Sequence, residues 1–192
     1  LTVTPASGTA GEQSVELSAS GNFRTSARTA YADIVCGEQS VRLTVTQTAA
    51  SGETDFTVLF DPGFAQKLQE LGHISDAENI TSADMEKIAA ITELDVSGTY
   101  ENRGTLTSLQ GIEYFESLTE LYCLSNQLTS LDVSANTALT FLECEDNPGD
   151  GVSTFPVTAW FDNDTKPDNL EIYQEQWTYG GKTITIEFQK AE

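Results

Sequence analysis

The sequence predicts an α+β chain: a small N-terminal antiparallel β-sandwich, then a short solenoid of repeats with a helical N-terminal cap and a β-hairpin C-terminal cap. Three observations carry this expectation. The first fifty residues alternate apolar and polar at period two, two stretches before Ile91 carry helix caps and helical spacing, and from Ile91 onward the chain repeats itself.

The strands come first. Val15, Leu17 and Ala19 alternate within 14–20, and Val41, Leu43 and Val45 within 41–47, so each stretch offers one apolar face. Leu1 to Thr4 ahead of Pro5, and Ala30 to Cys36, read as two more strands, with Gly8, Gly11, Gly21 and Gly37 between them. Together they define a unit over 1–50. The composition then turns small and polar, which places a linker at 51–55. A helical cap is expected over 56–90. Phe56 to Phe60 reads as a short strand, Asp61-Pro62 as the start of a helix over Gly63 to Leu71 that stops at Gly72. A second helix starts near Thr81-Ser82, with Asp84 and Glu86 in its first turn and Met85, Ile88 and Ala89 on one face.

Repeats are expected over 91–150. LTELYCLSNQL (118–128) and LTFLECEDNPG (139–149) superpose at an offset of 21 residues, matching Leu118 with Leu139, Leu121 with Leu142, Cys123 with Cys144 and Asn126 with Asn147. An earlier copy, ITELDVSGT (91–99), places Leu94 and Val96 27 residues before Leu121 and Cys123, so six extra residues are inserted around Tyr100 to Thr105. The pattern L-x-x-L-x-L/C-x-x-N-x-L is a leucine-rich repeat, one short parallel strand and a return segment per copy. Leu94, Leu121 and Leu142 should stack inward, as should Val96, Cys123 and Cys144. Asn126 and Asn147 should satisfy backbone groups of the neighbouring copy where the chain turns, while Leu106, Leu109, Leu128 and Leu131 fill the return side. The tail, 151–192, reads as a β cap with a short strand at Leu170 to Tyr173 and a closing hairpin through Gly180-Gly181, with Ile184, Ile186 and Phe188 on one face.

On these strings (DPGFAQKL, ITSADMEKIAAITELDVSG, LTSLQGIEYFESLTEL, NQLTSLDVSANTALTFLEC) the segment 56–147 resembles the leucine-rich-repeat proteins of Bacteroidetes cell surfaces and, more distantly, internalin-type repeats. SVRLTVTQ (40–47) resembles the closing strand of the BACON domain, an immunoglobulin-like sandwich associated with carbohydrate binding. The chain has no Trp before Trp160, so no tryptophan of that domain is carried over. The resemblance implies a cell-envelope or extracellular binding protein, an outer-membrane lipoprotein among the forms it could take.

Thirty Asp and Glu against nine Lys and Arg give a formal charge of −21, which repels phosphate and excludes nucleic acid and anionic lipid as partners. No apolar run is long enough to span a membrane. The chain opens on Leu1 and reads as processed or trimmed, so an export signal would lie outside it.

Residues alternating with the inward ones face outward on the concave side. They form an acidic, aromatic strip: Glu93 and Asp95, Glu120 and Tyr122, Phe141, Glu143 and Glu145. Such a strip suits a protein or glycan ligand bound by a monomer, with no cofactor. Cys123 and Cys144, at equivalent positions of neighbouring copies, read as free core thiols. For a metal the sequence offers only Asp162, Asp164 and Asp168, with Lys166 and Pro167 where a calcium loop needs a ligand and a glycine. His73, Ser75 and Ala77 occupy the ligand positions of a calcium-loop-like stretch before the second helix and cannot form one. Trp177 and Tyr179 could stack on a sugar or pack in the cap. With one His and no G-x-S-x-G, H-E-x-x-H or phosphate loop, the chain is not expected to be an enzyme. A spacer role in a larger assembly is the second expectation, and a carbohydrate-active enzyme the third.

Overall fold

The period-two alternation at the N-terminus builds strands in pairs. The computed structural model describes residues 2–4, 14, 16–19, 21–24, 26–36, 38–50 and 54–191. Within these, β1 (Thr2–Thr4) pairs antiparallel with β2 (Glu16–Ser18), and β3 (Arg28–Cys36) with β4 (Gln39–Gln47), in two separate two-stranded sheets. Leu1, Pro5, Gly8, Gly11, Val15, Gly37 and positions 51–53 of the expected linker lie outside the described residues. In the β3–β4 register Ala32 faces Leu43 and Ile34 faces Val41, a shared apolar face, but Val41 stays 60% exposed. Alternation specifies a half-buried face without saying what covers it.

Asp55 interrupts the strand expected at Phe56 to Phe60. Its carboxylate accepts from the Thr57 amide (2.8 Å) and hydroxyl (2.5 Å), and Thr57–Leu59 closes as one turn of 3-10 helix. The two helices then form where their caps lie. Asp61 accepts from the amides of Gly63 and Phe64 at the start of α1 (Pro62–Glu70), and Thr81 and Asp84 make a reciprocal capping box at the start of α2 (Ser82–Ala90).

Beyond α2 the chain coils. The strands β5 (Glu93–Asp95), β6 (Glu120–Tyr122) and β8 (Phe141–Glu143) stack in parallel, Leu94 opposite Leu121 opposite Leu142, all fully buried. A fourth strand from the tail, β10 (Glu171–Ile172), adds in parallel, placing Ile172 opposite Leu142. The return side has its own four-stranded sheet, in the order β11 (Gln176–Tyr179), β12 (Lys182–Lys190), β9 (Thr154–Ala159), β7 (Leu131–Asp132). The β12–β9 and β9–β7 pairs are parallel, and Gly180-Gly181, both at positive φ, turn β11 into β12. One apolar core runs between the sheets from Phe60 and Phe64 beside the helices to Phe155, Ile186 and Phe188 at the far end.

The fold class is thereby corrected. The chain is mostly β, a β-solenoid of about three turns with two nine-residue helices among the described residues, not an α+β leucine-rich-repeat solenoid behind a β-sandwich. The tail is the physical reason at one end, since β10 and β12 extend both sheets by a further turn. At the other end, the described strands pair only two by two.

Candidate functional site

Parallel register turns the alternating residues into columns. Side chains at every second position point away from the core, and neighbouring strands stand about 4.8 Å apart. The first column reads Glu93, Glu120, Phe141, Glu171; the second reads Asp95, Tyr122, Glu143. Tyr173 continues the second column, its amide bonded to the Leu142 carbonyl at 3.1 Å. None of the nine basic residues falls on these four strands.

The columns are organised by their aromatic members. The Tyr122 hydroxyl donates to Glu120 Oε2 at 2.8 Å, and its ring lies 5.2 Å from that of Phe141 at 39°. Glu120 holds the Tyr122 phenol up to about 12 through that bond, aided by some burial and by the charges of Glu93 and Glu143. Tyr173 stands 61% exposed at the strip's edge.

Glu145 leaves the open face. Alternation places it outward beyond Glu143, in the column of Ser97 and Leu124, but the six-residue insertion folds over it and leaves it 1% exposed. Both feet of that loop stand on the next turn of the solenoid: the Gly98 amide donates to the Leu124 carbonyl (3.0 Å) and the Gly104 amide to the Ser125 carbonyl (2.8 Å). Gly104 is required, because a Cβ there would lie 2.0 Å from Asn126 Oδ1. The loop then reaches two turns along. Tyr100 donates to Glu145 Oε1 (3.2 Å), and Arg103 forks Asp146 through Nε (2.9 Å) and Nη2 (2.5 Å) while its guanidinium lies 4.8 Å above the Tyr179 ring. Glu145 Oε2 is buried as well. Burial, with the charges of Glu145 and Asp95, raises Glu143 above the usual carboxylate range; burial also raises Glu145, with only part of the effect offset by hydrogen bonds from its own backbone amide, from Tyr100 and from the Glu143 carboxyl.

The asparagines form the frame beneath. Asn126 Nδ2 donates to the Val96 carbonyl at 3.0 Å; Asn147 Nδ2 donates to those of Cys123 (3.0 Å) and Cys144 (2.9 Å), and Asn147 Oδ1 accepts from the Leu128 amide (2.9 Å). Cys123 and Cys144 are free and buried, and burial pushes both thiols far up.

The other sequence candidates are not assembled into sites. Asp162 Oδ1 accepts from Thr165 Oγ1 (2.7 Å) and from the amides of Asp164 and Thr165, an ordinary turn, while Asp164 and Asp168 stay exposed. Among the described residues no group of three or more His, Cys, Asp or Glu is placed to hold a metal. Trp177 is buried against Phe155, ring centroids 5.6 Å apart, and donates to the Asn147 carbonyl at 2.8 Å, so Trp177 and Tyr179 offer no open stacking platform.

Sequence reasoning missed Glu171, Tyr173 and the reach of Tyr100. A signal existed for the first two. Glu171-Ile172-Tyr173 repeats Glu120-Leu121-Tyr122, and the register aligns them through Phe141 and Leu142.

Residues 1–50 match the family model described as the viral BACON domain. No curated protein sequence matches the chain. Among solved structures, internalin C2 from Listeria monocytogenes is similar at 21% identity and a TM-score of 0.44, over 74% of this chain and 72% of that one. No helix among the described residues is long and apolar enough to cross a membrane.

Proposed function

We propose that the chain is a non-catalytic binding module, exposed at a cell surface or secreted, that takes a protein or glycan on the open face of the β5–β6–β8–β10 sheet. The observation that carries this reading is the pair of aligned columns, in which Glu93, Asp95, Glu120, Glu143 and Glu171 surround Tyr122, Phe141 and Tyr173 with no basic residue on those strands. Carboxylates that only solubilise are spread over a surface; here they border three aromatic rings at fixed spacing.

The test is a glycan array together with pull-down from envelope extracts, followed by the double variant Tyr122→Ala, Glu143→Lys. Binding is expected to fall at least about tenfold, while the unfolding midpoint stays close to that of the parent, because both side chains lie outside the core. Full retention of binding by the double variant would remove the strip from the reading. A screen that finds no ligand would favour the spacer role.

A further inference from the structure

We infer that residues 98–104 form a proton-operated strap over the end of the acidic face, closed while Glu143 and Glu145 share a proton and released when that proton leaves. The inference stands apart from the binding-module reading, since it concerns how far the face extends and not what lies on it. The strap is built to move as a body. Thr99 and Asn102 exchange both backbone bonds (3.0 and 3.1 Å), so Tyr100 and Glu101 ride on a closed turn. The feet, Gly98 and Gly104, lie against each other: a Cβ at Gly98 would fall 2.3 Å from the Gly104 amide nitrogen. One short hinge therefore carries the whole tip.

Two side chains fasten that tip, and the fastenings differ in kind. Arg103 meets Asp146 as cation to anion. Tyr100 meets Glu145 Oε1 at 3.2 Å, and Glu145 is 1% exposed among further acids: the Glu143 carboxyl donates to it, and the charge of Asp146 lies beside it. Arg103, the cation facing this cluster, is already engaged by Asp146. Two carboxylates in one dry site cannot both ionise without water, so the second ionisation requires the cover to lift. The closed strap also shuts Ser97 Oγ, at its foot, away from water without a hydrogen-bond partner. Lifting returns Ser97 Oγ and Glu145 to solvent and lengthens the acidic face by one column.

The groups facing the pair are Asp95 from β5, Glu120 and Tyr122 from β6 with Cys123 after it, Cys144 and Asp146 after β8, Tyr173 after β10, and Tyr100 and Arg103 from the strap. Burial pushes up Tyr100 and both thiols, the bond to Glu120 pushes up Tyr122, and the bond to Asp146 pushes up Arg103, so none of these changes charge between pH 5 and pH 7.5. Glu143 and Glu145 are both raised, so the closed strap holds a proton more tightly than the open one. Closure is favoured at low pH and is lost as pH rises through the raised range.

The experiment follows the intact chain by NMR from pH 5 to pH 7.5. It reads the side-chain carboxyl shifts of Glu143 and Glu145, and the relaxation that a neutral gadolinium chelate in solution imposes on the Glu145 side chain, with the fully buried Leu142 side chain as core reference. The two carboxyls are expected to titrate as one coupled pair in separate steps, and relaxation at Glu145 to rise at least about threefold across the range while Leu142 stays unchanged. Glu143→Gln, whose amide donates to Glu145 at every pH, should keep the strap closed throughout. Tyr100→Phe, at a position 64% exposed that does not threaten folding, should bring the pH 5 signal to the pH 7.5 level. Independent titration of the two glutamates, or a Glu145 side chain equally shielded at both pH values, would overturn the inference. So would a pH response that survives in Glu143→Gln, which would assign it to another group such as His73, or relaxation at Leu142 that rises in step with Glu145, which would make the event global unfolding.

Discussion

Asn147 shows how much one side chain can hold in a solenoid. It receives the Leu128 amide, donates to carbonyls of two successive turns, and its own carbonyl accepts from Trp177 Nε1. Asn147→Ala leaves the buried amide and carbonyls without partners, at about 1 to 3 kcal/mol for such a group. A loss of about 3 kcal/mol is expected, read as a lower urea midpoint at unchanged slope. Glu145 works in the opposite sense. Its native carboxyl binds a proton more readily than the unfolded one, so stability falls as pH rises through the raised native range. Glu145→Gln keeps an acceptor for Tyr100 and removes the buried charge. It should raise the thermal midpoint at pH 7 by a few degrees and lose that advantage below about pH 4, where the unfolded glutamate is also protonated. A variant less stable than the parent at pH 7 would mean the charge is compensated in the fold. Asn147 was readable from the sequence because its partners are backbone groups, which every repeat supplies. Glu145 was not: alternation alone turned it outward, and what covers it is a loop 45 residues away in sequence.

At the scale of elements, local chemistry was the reliable guide. Both α-helices start at the residues whose side chains cap them, and the Asp84 carboxylate ties α2 to the preceding loop. It accepts from Thr81 Oγ1 (2.7 Å), Ser75 Oγ (3.1 Å) and Lys87 Nζ (3.2 Å). Burial alone would raise its pKa; the bonds from Thr81, Lys87 and Ser75 outweigh it and hold the carboxyl at about 2. Its contribution is therefore present above the ordinary Asp range and fades as pH falls from there toward 2. Asp84→Ala should cost about 2 to 3 kcal/mol at pH 7 and progressively less under acid, measured by denaturant titration at both pH values. A cost independent of pH would assign the loss to packing. Phe56 to Phe60 misled because five residues are too few to separate a strand from a turn, and Asp55, outside the window, decides it. Leu170 to Tyr173 was legible as a strand, but its place beside β8 escaped for a related reason. The chain takes 21 residues from Glu120 to its register partner Phe141 but thirty from Phe141 to Glu171, spending the difference on β9 and the turn at 162–165, so a fixed period passes over it.

For the whole molecule, the sequence revealed that the chain coils but not where the coil ends. Loss of the leucine pattern after Gly151 suggested a cap of different character, yet Phe155, Val157, Ile184, Ile186 and Phe188 rebuild the core with other side chains. Two truncations separate these views. Removing residues 170–192 takes away β10, β11 and β12 and uncovers Leu142, Phe155 and Val157, whose burial stabilises by about 1.5 to 3 kcal/mol each. That equals the stability of many domains, so the remainder should fail to unfold cooperatively. Removing residues 1–50 loses the Phe23 ring packed edge-on against Tyr114 (5.7 Å) and the Arg24–Glu116 ion pair. One buried Phe and an exposed ion pair amount to about 2 to 3 kcal/mol, so the solenoid should still fold, with a midpoint lowered by several degrees. Circular dichroism melts of the two truncated chains decide the matter. A cooperative melt after loss of 170–192 would return the tail to the status of a removable cap; collapse after loss of 1–50 would make the N-terminal hairpins part of the solenoid's own core.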